Sequence, residues 1–162
     1  MFSKADQVGS YGRKGKKEKG FKRDKADKWF SLFIRLRDVV TVRGDGVAIA
    51  PCITCGKYGD IRYMDCGHFV TRNHPLTRFN EQNAHAQCKG CNEFKKGDQA
   101  KHLLAIDKKY GHGTAEKLIQ LGSIRGQKKY TTEAINVIAE EYRIKTNKIY
   151  NEFKKLGLRK WW

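Results

Sequence analysis

The sequence predicts an α+β fold on three observations. Apolar residues recur at helical spacing near the start, at Trp29, Phe33, Leu36 and Val40. They do so again beyond residue 100, and between these segments short apolar runs broken by glycine surround two C-x-x-C pairs. Taken in order, residues 29–40 should form a helix that buries one apolar face, with Arg35 and Arg37 interspersed. Arg43-Gly44-Asp45-Gly46 reads as a linker, and residues 51–97 as a cysteine-rich core. Leu103, Leu104, Ile106 and Tyr110 predict a helix stopped by Gly111-His112-Gly113. Thr114 should cap a short helix reaching Leu121, and Thr131 or Thr132 a helix carrying Ile135, Ile138, Ala139 and Tyr142. A last helix should carry Ile149, Tyr150, Phe153 and Leu156.

The 162 residues amount to about one ordinary domain. Lys and Arg number 34 against 17 Asp and Glu, a formal charge of +17 that makes a compact chain repel itself unless a polyanion shares the charge. Nucleic acid is the expected partner. Residues 1–28 hold ten Lys/Arg and four Asp/Glu with Gly9, Gly12, Gly15 and Gly20 among them, too few apolar side chains to offset chain entropy. They read as a mobile basic arm before a single domain at 29–162, made of the 29–40 helix, the 51–97 core and a helical part at 98–162. Mean hydropathy is -0.73, and no run approaches the roughly 18 to 20 apolar residues of a membrane span. The basic N-terminus has no apolar segment behind it, so a cytoplasmic protein is expected.

Cys52-Ile53-Thr54-Cys55 and Cys88-Lys89-Gly90-Cys91 carry the strongest signal. Two thiolates spaced by two residues can meet one ion when the backbone makes a tight knuckle, and Gly56 and Gly90 can relax that turn. Without a secretion signal, metal is favoured over disulfides. Four sulfurs would close a tetrahedron around a structural zinc, bringing the effective charge to about +15. The 32 residues between the pairs leave room for a hairpin before a second knuckle that opens a helix, the treble-clef arrangement. Cys66 reads as a small buried hydrophobe.

Between the knuckles, Met64-Asp65-Cys66-Gly67-His68-Phe69-Val70 reads as a strand ending in a histidine, Asn83 stands five residues before Cys88, and Asn92 follows Cys91. This order resembles the HNH or ββα-metal endonucleases, in which such elements converge on one divalent cation. Phosphodiester cleavage needs an activated water, neutralised transition-state charge and support for the leaving oxygen. His68 would be the general base. Asn92 and Asp65 would offer oxygens to Mg²⁺ or Mn²⁺, and Asn83 would brace the loop holding His68. Asp65 and His68 differ by three positions and face opposite sides of a regular strand, so Gly67 should adopt a positive φ or a bulge; otherwise Asp65 serves the surface or the hairpin. His85 has three readings: a positioning group, a metal ligand replacing Asp65, or a packed histidine bonded to a carbonyl. His74, His102 and His112 read as solvent or cap histidines. Lys95 and Lys96 stand at i+3 and i+4 from Asn92 and would flank the phosphate on one helical face. Arg72 and Arg78 are further candidates for DNA backbone contacts.

Residues 29–150 resemble more closely still the NinG/Rap family of lambdoid-phage recombination endonucleases. The matching residues are Phe33-Ile34-Arg35-Leu36-Arg37-Asp38, Pro51-Cys52-Ile53-Thr54-Cys55-Gly56, Gly67-His68-Phe69, Arg78-Phe79-Asn80-Glu81, Asn83, His85, Gln87-Cys88, Cys91-Asn92 and Gly97. The resemblance implies a phage-encoded, structure-selective DNA endonuclease acting in the bacterial host on branched intermediates such as Holliday junctions and D-loops. Two cuts per junction are compatible with a homodimer, for which residues 132–156 offer a face. The alternatives are a non-catalytic zinc-stabilised nucleic-acid binder and an HNH nicking enzyme without junction preference.

Overall fold

The computed structural model describes residues 24–162. The first helix, α1 (Lys25–Arg37), begins earlier than its apolar stripe, because Asp24 and Asp27 form a capping box in which each carboxylate accepts the other's backbone N–H. Residues 25–28 are thus helical, and the remainder of the predicted arm, residues 1–23, lies outside the described residues. The helix stops at Arg37, short of Val40, whose N–H instead donates to the Ile49 carbonyl at 2.9 Å.

A three-stranded antiparallel sheet follows, in the order β1 (Thr41–Val42), β2 (Ala48–Pro51), β3 (Tyr58–Asp60). The predicted linker 43–46 is the turn of the β1–β2 hairpin: Gly46, at φ +79°, donates to the Arg43 carbonyl at 2.8 Å. A second, two-stranded sheet pairs β4 (Asp65–His68) antiparallel with β5 (Ala84–Gln87), with a short helix α2 (Pro75–Arg78) in the connection. Beyond β5 lie a single wide helical turn at Gly90–Phe94, then α3 (Gln99–Tyr110), α4 (Thr114–Ser123) and α5 (Thr132–Lys154). Among the described residues no helix is long and apolar enough to cross a membrane.

The cap of α4 differs from expectation in one residue. Gly113 takes the cap position and the Asp107 carboxylate accepts from the N–H groups of Gly113 and Ala115. The two predicted C-terminal helices are one. Thr131 caps α5 by accepting from Ala134 N, and the polar run 143–148 stays helical because Thr146 turns inward while Arg143 and Lys148 face solvent. α5 packs along α1, with the Tyr142 ring 4.8 Å from Phe30 and nearly perpendicular to it.

Three apolar clusters result. Leu32, Leu36, Ala50, Ile61 and Leu158 pack under the three-stranded sheet; Phe30, Phe33, Ile34 and Tyr142 join α1 to α5; Phe69, Ile106 and Leu118 hold α3 and α4 against the β4–β5 connection. Trp161 and Trp162 return to the first cluster.

Gly67 departs from its predicted role. It has no positive φ, and β4 pairs with β5 through four successive residues without a bulge. The glycine is needed because the buried Gln87 side chain occupies the space its Cβ would fill, 2.9 Å from the Gln87 Cβ. Gly67→Ala should therefore lower stability by about 1–3 kcal/mol, the usual cost of overpacking. Urea unfolding measures this, and unchanged stability would mean that Gln87 yields freely.

Candidate metal centre and the adjoining cavity

Each cysteine pair sits where a strand ends. Cys52 follows β2, and its knuckle closes through Gly56 N to Cys52 O at 2.8 Å, with Gly56 at φ +72°. Ile53 N donates to the Ala86 carbonyl at 3.0 Å and ties this knuckle to β5. In the second knuckle, Cys91 N and Asn92 N both donate to the Cys88 carbonyl, at 3.0 and 2.9 Å. The four sulfurs lie within 4.8 Å of one another, and Cys55 and Cys88 are 3.8 Å apart. A tetrahedron with Zn–S of about 2.3 Å has edges of about 3.8 Å, so the cluster could hold a metal such as zinc. Its electrostatics agree. Burial and the neighbouring thiols push Cys91 up to about 12, whereas the backbone amides of Cys88, Cys55 and Thr54 overcome burial to bring Cys52 down to about 7. Four thiolates can share this space only with a cation among them. Cys66 stands outside the cluster, and burial pushes its thiol up to about 12. Cys88→Ser should lose bound zinc and the cooperative unfolding of the core; a folded, fully zinc-loaded variant by mass spectrometry would contradict the centre's structural role.

The predicted helix at the second knuckle is only the wide turn Gly90–Phe94, in which Lys95 N reaches back five residues to Gly90 O at 3.2 Å. Positive φ at Lys96, Gly97 and Asp98 then redirects the chain into α3. Lys95 and Lys96 consequently share no helical face with Asn92; both are exposed and neither borders the cavity beside it. Lys89 does.

That cavity, about 380 Å³, brings Asp65 and His68 of β4 together with Asn92 of the knuckle, Arg72 of the following loop and Asp27 and Phe30 of α1. Asp65 and His68 belong to opposite strand faces, but among the described residues β4 pairs with β5 alone, and side chains from both faces can border a cavity along the open edge. Asn92 Nδ2 donates to Asp65 Oδ2 at 3.0 Å, and Lys89 Nζ lies 3.7 Å from Asp65 Oδ1. The His68 Nε2 is 3.0 Å from the Arg78 carbonyl oxygen. A carbonyl only accepts, so Nε2 carries the proton of the neutral ring and Nδ1 keeps its lone pair. Burial, helped by the Arg72 charge, brings His68 down to about 4 despite the carbonyls and Asp27 nearby.

Asn83 is fully buried and holds the loop that leaves β4. Its Nδ2 donates to the carbonyls of Val70 and Thr77 at 2.8 and 2.9 Å, and its Oδ1 accepts from Val70 N at 2.7 Å. Arg78 is placed differently from the predicted DNA contact. Its guanidinium turns inward to Asp27 and Asp24, at 2.7 and 2.8 Å, and so fixes the carbonyl that orients His68. Nothing local in the sequence signals this pairing across some fifty residues; only the acidic start of α1 could have hinted at it.

His85 lies away from the cavity. Paired with Gly67, and therefore on the sheet face away from His68, it is fully buried, with Nε2 3.0 Å from the Tyr110 hydroxyl and Nδ1 3.4 Å from His102 Nε2. Of its three readings, packing holds, with a hydroxyl and a second imidazole in place of a carbonyl. His102 is likewise fully buried, against the expectation of a solvent histidine, whereas His112 is exposed and His74 occupies the cap position of α2. Helical spacing places His102 beside Ile106 and could have revealed this. Burial brings His85 down to about 3 and His102 to about 4. Both return to about 6.5 on unfolding, so the unfolded chain binds more protons between about pH 4 and 6.5 and stability falls as pH drops through that window. Asp38, held low by Arg37 and Lys109 against its burial, loses its contribution only at lower pH, below 3.8. Urea unfolding should therefore show less stability at pH 5 than at pH 7, with a smaller difference in a His85→Gln/His102→Gln variant. An equal difference in that variant would contradict burial of the neutral pair.

Fold and site together define an α+β protein with small antiparallel sheets and a four-cysteine centre suited to zinc. The profile of the NinG family, described as Bacteriophage Lambda NinG protein, matches residues 6–152, and the chain belongs to that family. It is 31% identical over 102 residues to Protein ninG of Escherichia phage lambda, covering 62% of this chain and 48% of that protein. It is 31% identical over 96 residues to Protein ninG of Salmonella phage P22, covering 59% and 45%. Against Protein ninG of Escherichia phage 933W it is 29% identical over 102 residues, covering 62% and 49%. The chain spans about half the length of these curated relatives. No solved structure matches it.

Proposed function

We propose that the chain is a metal-dependent DNA endonuclease of the HNH type that cleaves phosphodiesters in branched recombination intermediates. One observation carries the reading: His68, Asp65 and Asn92 border one cavity, and Asn92 sits directly against the four-cysteine centre through Cys91. Zinc in this reading is scaffolding of a treble-clef kind. A second, exchangeable divalent cation would be held by the Asp65 carboxylate and the Asn92 side-chain oxygen, hard donors that fit Mg²⁺ or Mn²⁺ and leave the remaining positions to water and phosphate. When bound, that cation neutralises phosphate charge and supports the leaving oxygen.

The chain's own groups do the rest. His68 Nδ1 accepts the proton of the attacking water, while the Arg78 carbonyl receives the Nε2 hydrogen and fixes the ring. Burial keeps the imidazole neutral at pH 7, and an entering phosphate favours the imidazolium that forms by adding negative charge beside it. Arg72 and Lys89 contribute positive charge at the cavity, and Asn83 holds the loop between β4 and α2. The formal charge of +17 supplies nonspecific attraction to DNA. Preference for Holliday junctions and D-loops, a homodimer and action in the cytoplasm of a phage-infected bacterium extend the same reading.

On this proposal, His68→Ala reduces cleavage of a four-way junction by about 10²- to 10⁴-fold, the range of a positioned general base. Junction affinity, measured by gel shift, changes less than about twofold because phosphate contacts dominate it. Cleavage at the unsubstituted rate would contradict the assignment.

A further inference from the structure

We infer that Tyr63 is a base-stacking platform at the cavity mouth, so that the strand accepted there carries an unpaired base beside the phosphate; this rests on the endonuclease reading. Tyr63 borders the same cavity as His68, Asp65 and Asn92, yet it is 70% exposed. Its ring is not left to wander. Tyr63 N donates to the Asp60 carbonyl at 3.0 Å and Arg62 N to Asp60 Oδ1 at 2.9 Å, closing the turn between β3 and β4. The turn is anchored on both sides by buried Ile61 and Met64. The Arg62 guanidinium, gripped by Asp60 with Nε–Oδ2 at 2.8 Å, stands 5.7 Å from the Tyr63 ring centroid. An aromatic side chain is thus presented to solvent on a fixed support, with a cation beside its π-system.

Such a ring adds little to the fold, because the surface it keeps in water contributes nothing to burial. It offers a flat apolar face next to a site whose walls carry Arg35, Arg62, Arg72 and Lys89 against Asp27, Asp65 and Glu93, in a chain of net charge +17. Cations that can meet a phosphate with an adjoining aromatic face are the chemistry that binds single-stranded nucleic acid. Bases inside a duplex have both faces covered by their neighbours; a base at a branch or gap has a free face to give to Tyr63. The cavity volume of about 380 Å³ lies at the small end of the roughly 300–1,000 Å³ usual for ligand pockets, and suits a phosphate with one nucleotide. Every base has a π-face, so this contact selects DNA structure with little regard to sequence.

The test uses the zinc-loaded full chain with no added divalent cation, so that binding is read without cleavage. The probes are an oligonucleotide duplex with 2-aminopurine at a one-nucleotide gap and a fully paired duplex of equal length. Binding should quench the 2-aminopurine with the unsubstituted chain and with Tyr63→Phe. Tyr63→Ala should lose the quench and bind the gapped duplex about 5- to 100-fold more weakly, while its affinity for the paired duplex changes less than about twofold. An unchanged quench in Tyr63→Ala, or equal weakening on both duplexes, would overturn the inference. A Tyr63-dependent quench in a chain that cuts no DNA under any cation would support stacking while overturning the endonuclease reading.

Discussion

Four cysteine sulfurs converge at one point, and this convergence sets where the strands and the knuckle beside the cavity can lie. The sulfurs join the end of β2 to the end of β5, two segments separated by more than thirty residues, in a chain whose net charge works against compaction. Strands of two to four residues cannot hold such a centre by backbone pairing alone. The sulfurs also set the position of Asn92, because the second knuckle passes straight into the turn that carries it. What looks like a structural device on one side is therefore the wall of the cavity on the other.

A second tie acts from the opposite direction. Asp24 and Asp27 first cap α1 and then hold the Arg78 guanidinium, and the carbonyl of that same Arg78 orients His68. The cavity is thus bounded by two independent anchors, sulfur at Asn92 and carboxylate–guanidinium at His68. Asp65 lies between them, linked to Asn92 by its side chain. Polar groups held this firmly before any ligand arrives are what electrostatic stabilisation of a developing charge requires. Behind the β4–β5 pair, His85, His102 and Tyr110 fasten α3 to β5 and take no part in the cavity wall.

What could be read from the sequence was local. Two C-x-x-C pairs declare themselves by spacing, and apolar periodicity locates the flanking helices, since each signal is carried by neighbours a few residues apart. The failures were of two kinds. Positions governed by distant partners show no local signal: Gly67 answers to Gln87 rather than to its own backbone, Arg78 pairs with the start of α1, and His102 with His85. Regular spacing places Lys95 and Lys96 on one helix with Asn92, but the turn ends at Phe94 and left-handed residues follow. In α5 the opposite holds: the two expected helices are one, and Thr146 turns inward between them.

On the proposed reading, an ion held by the four sulfurs would shape the cavity while a different, exchangeable cation would serve there. Incubating zinc-loaded chain with labelled linear, nicked, D-loop and four-way DNA separates the two ions. Each substrate is tried with Mg²⁺, with Mn²⁺, and with a chelator too weak to remove the zinc, whose content is followed by mass spectrometry throughout. Cleavage of the branched substrates should occur only when Mg²⁺ or Mn²⁺ is present, at constant zinc content. Cutting that persists under the chelator, or none with either cation, would contradict that reading.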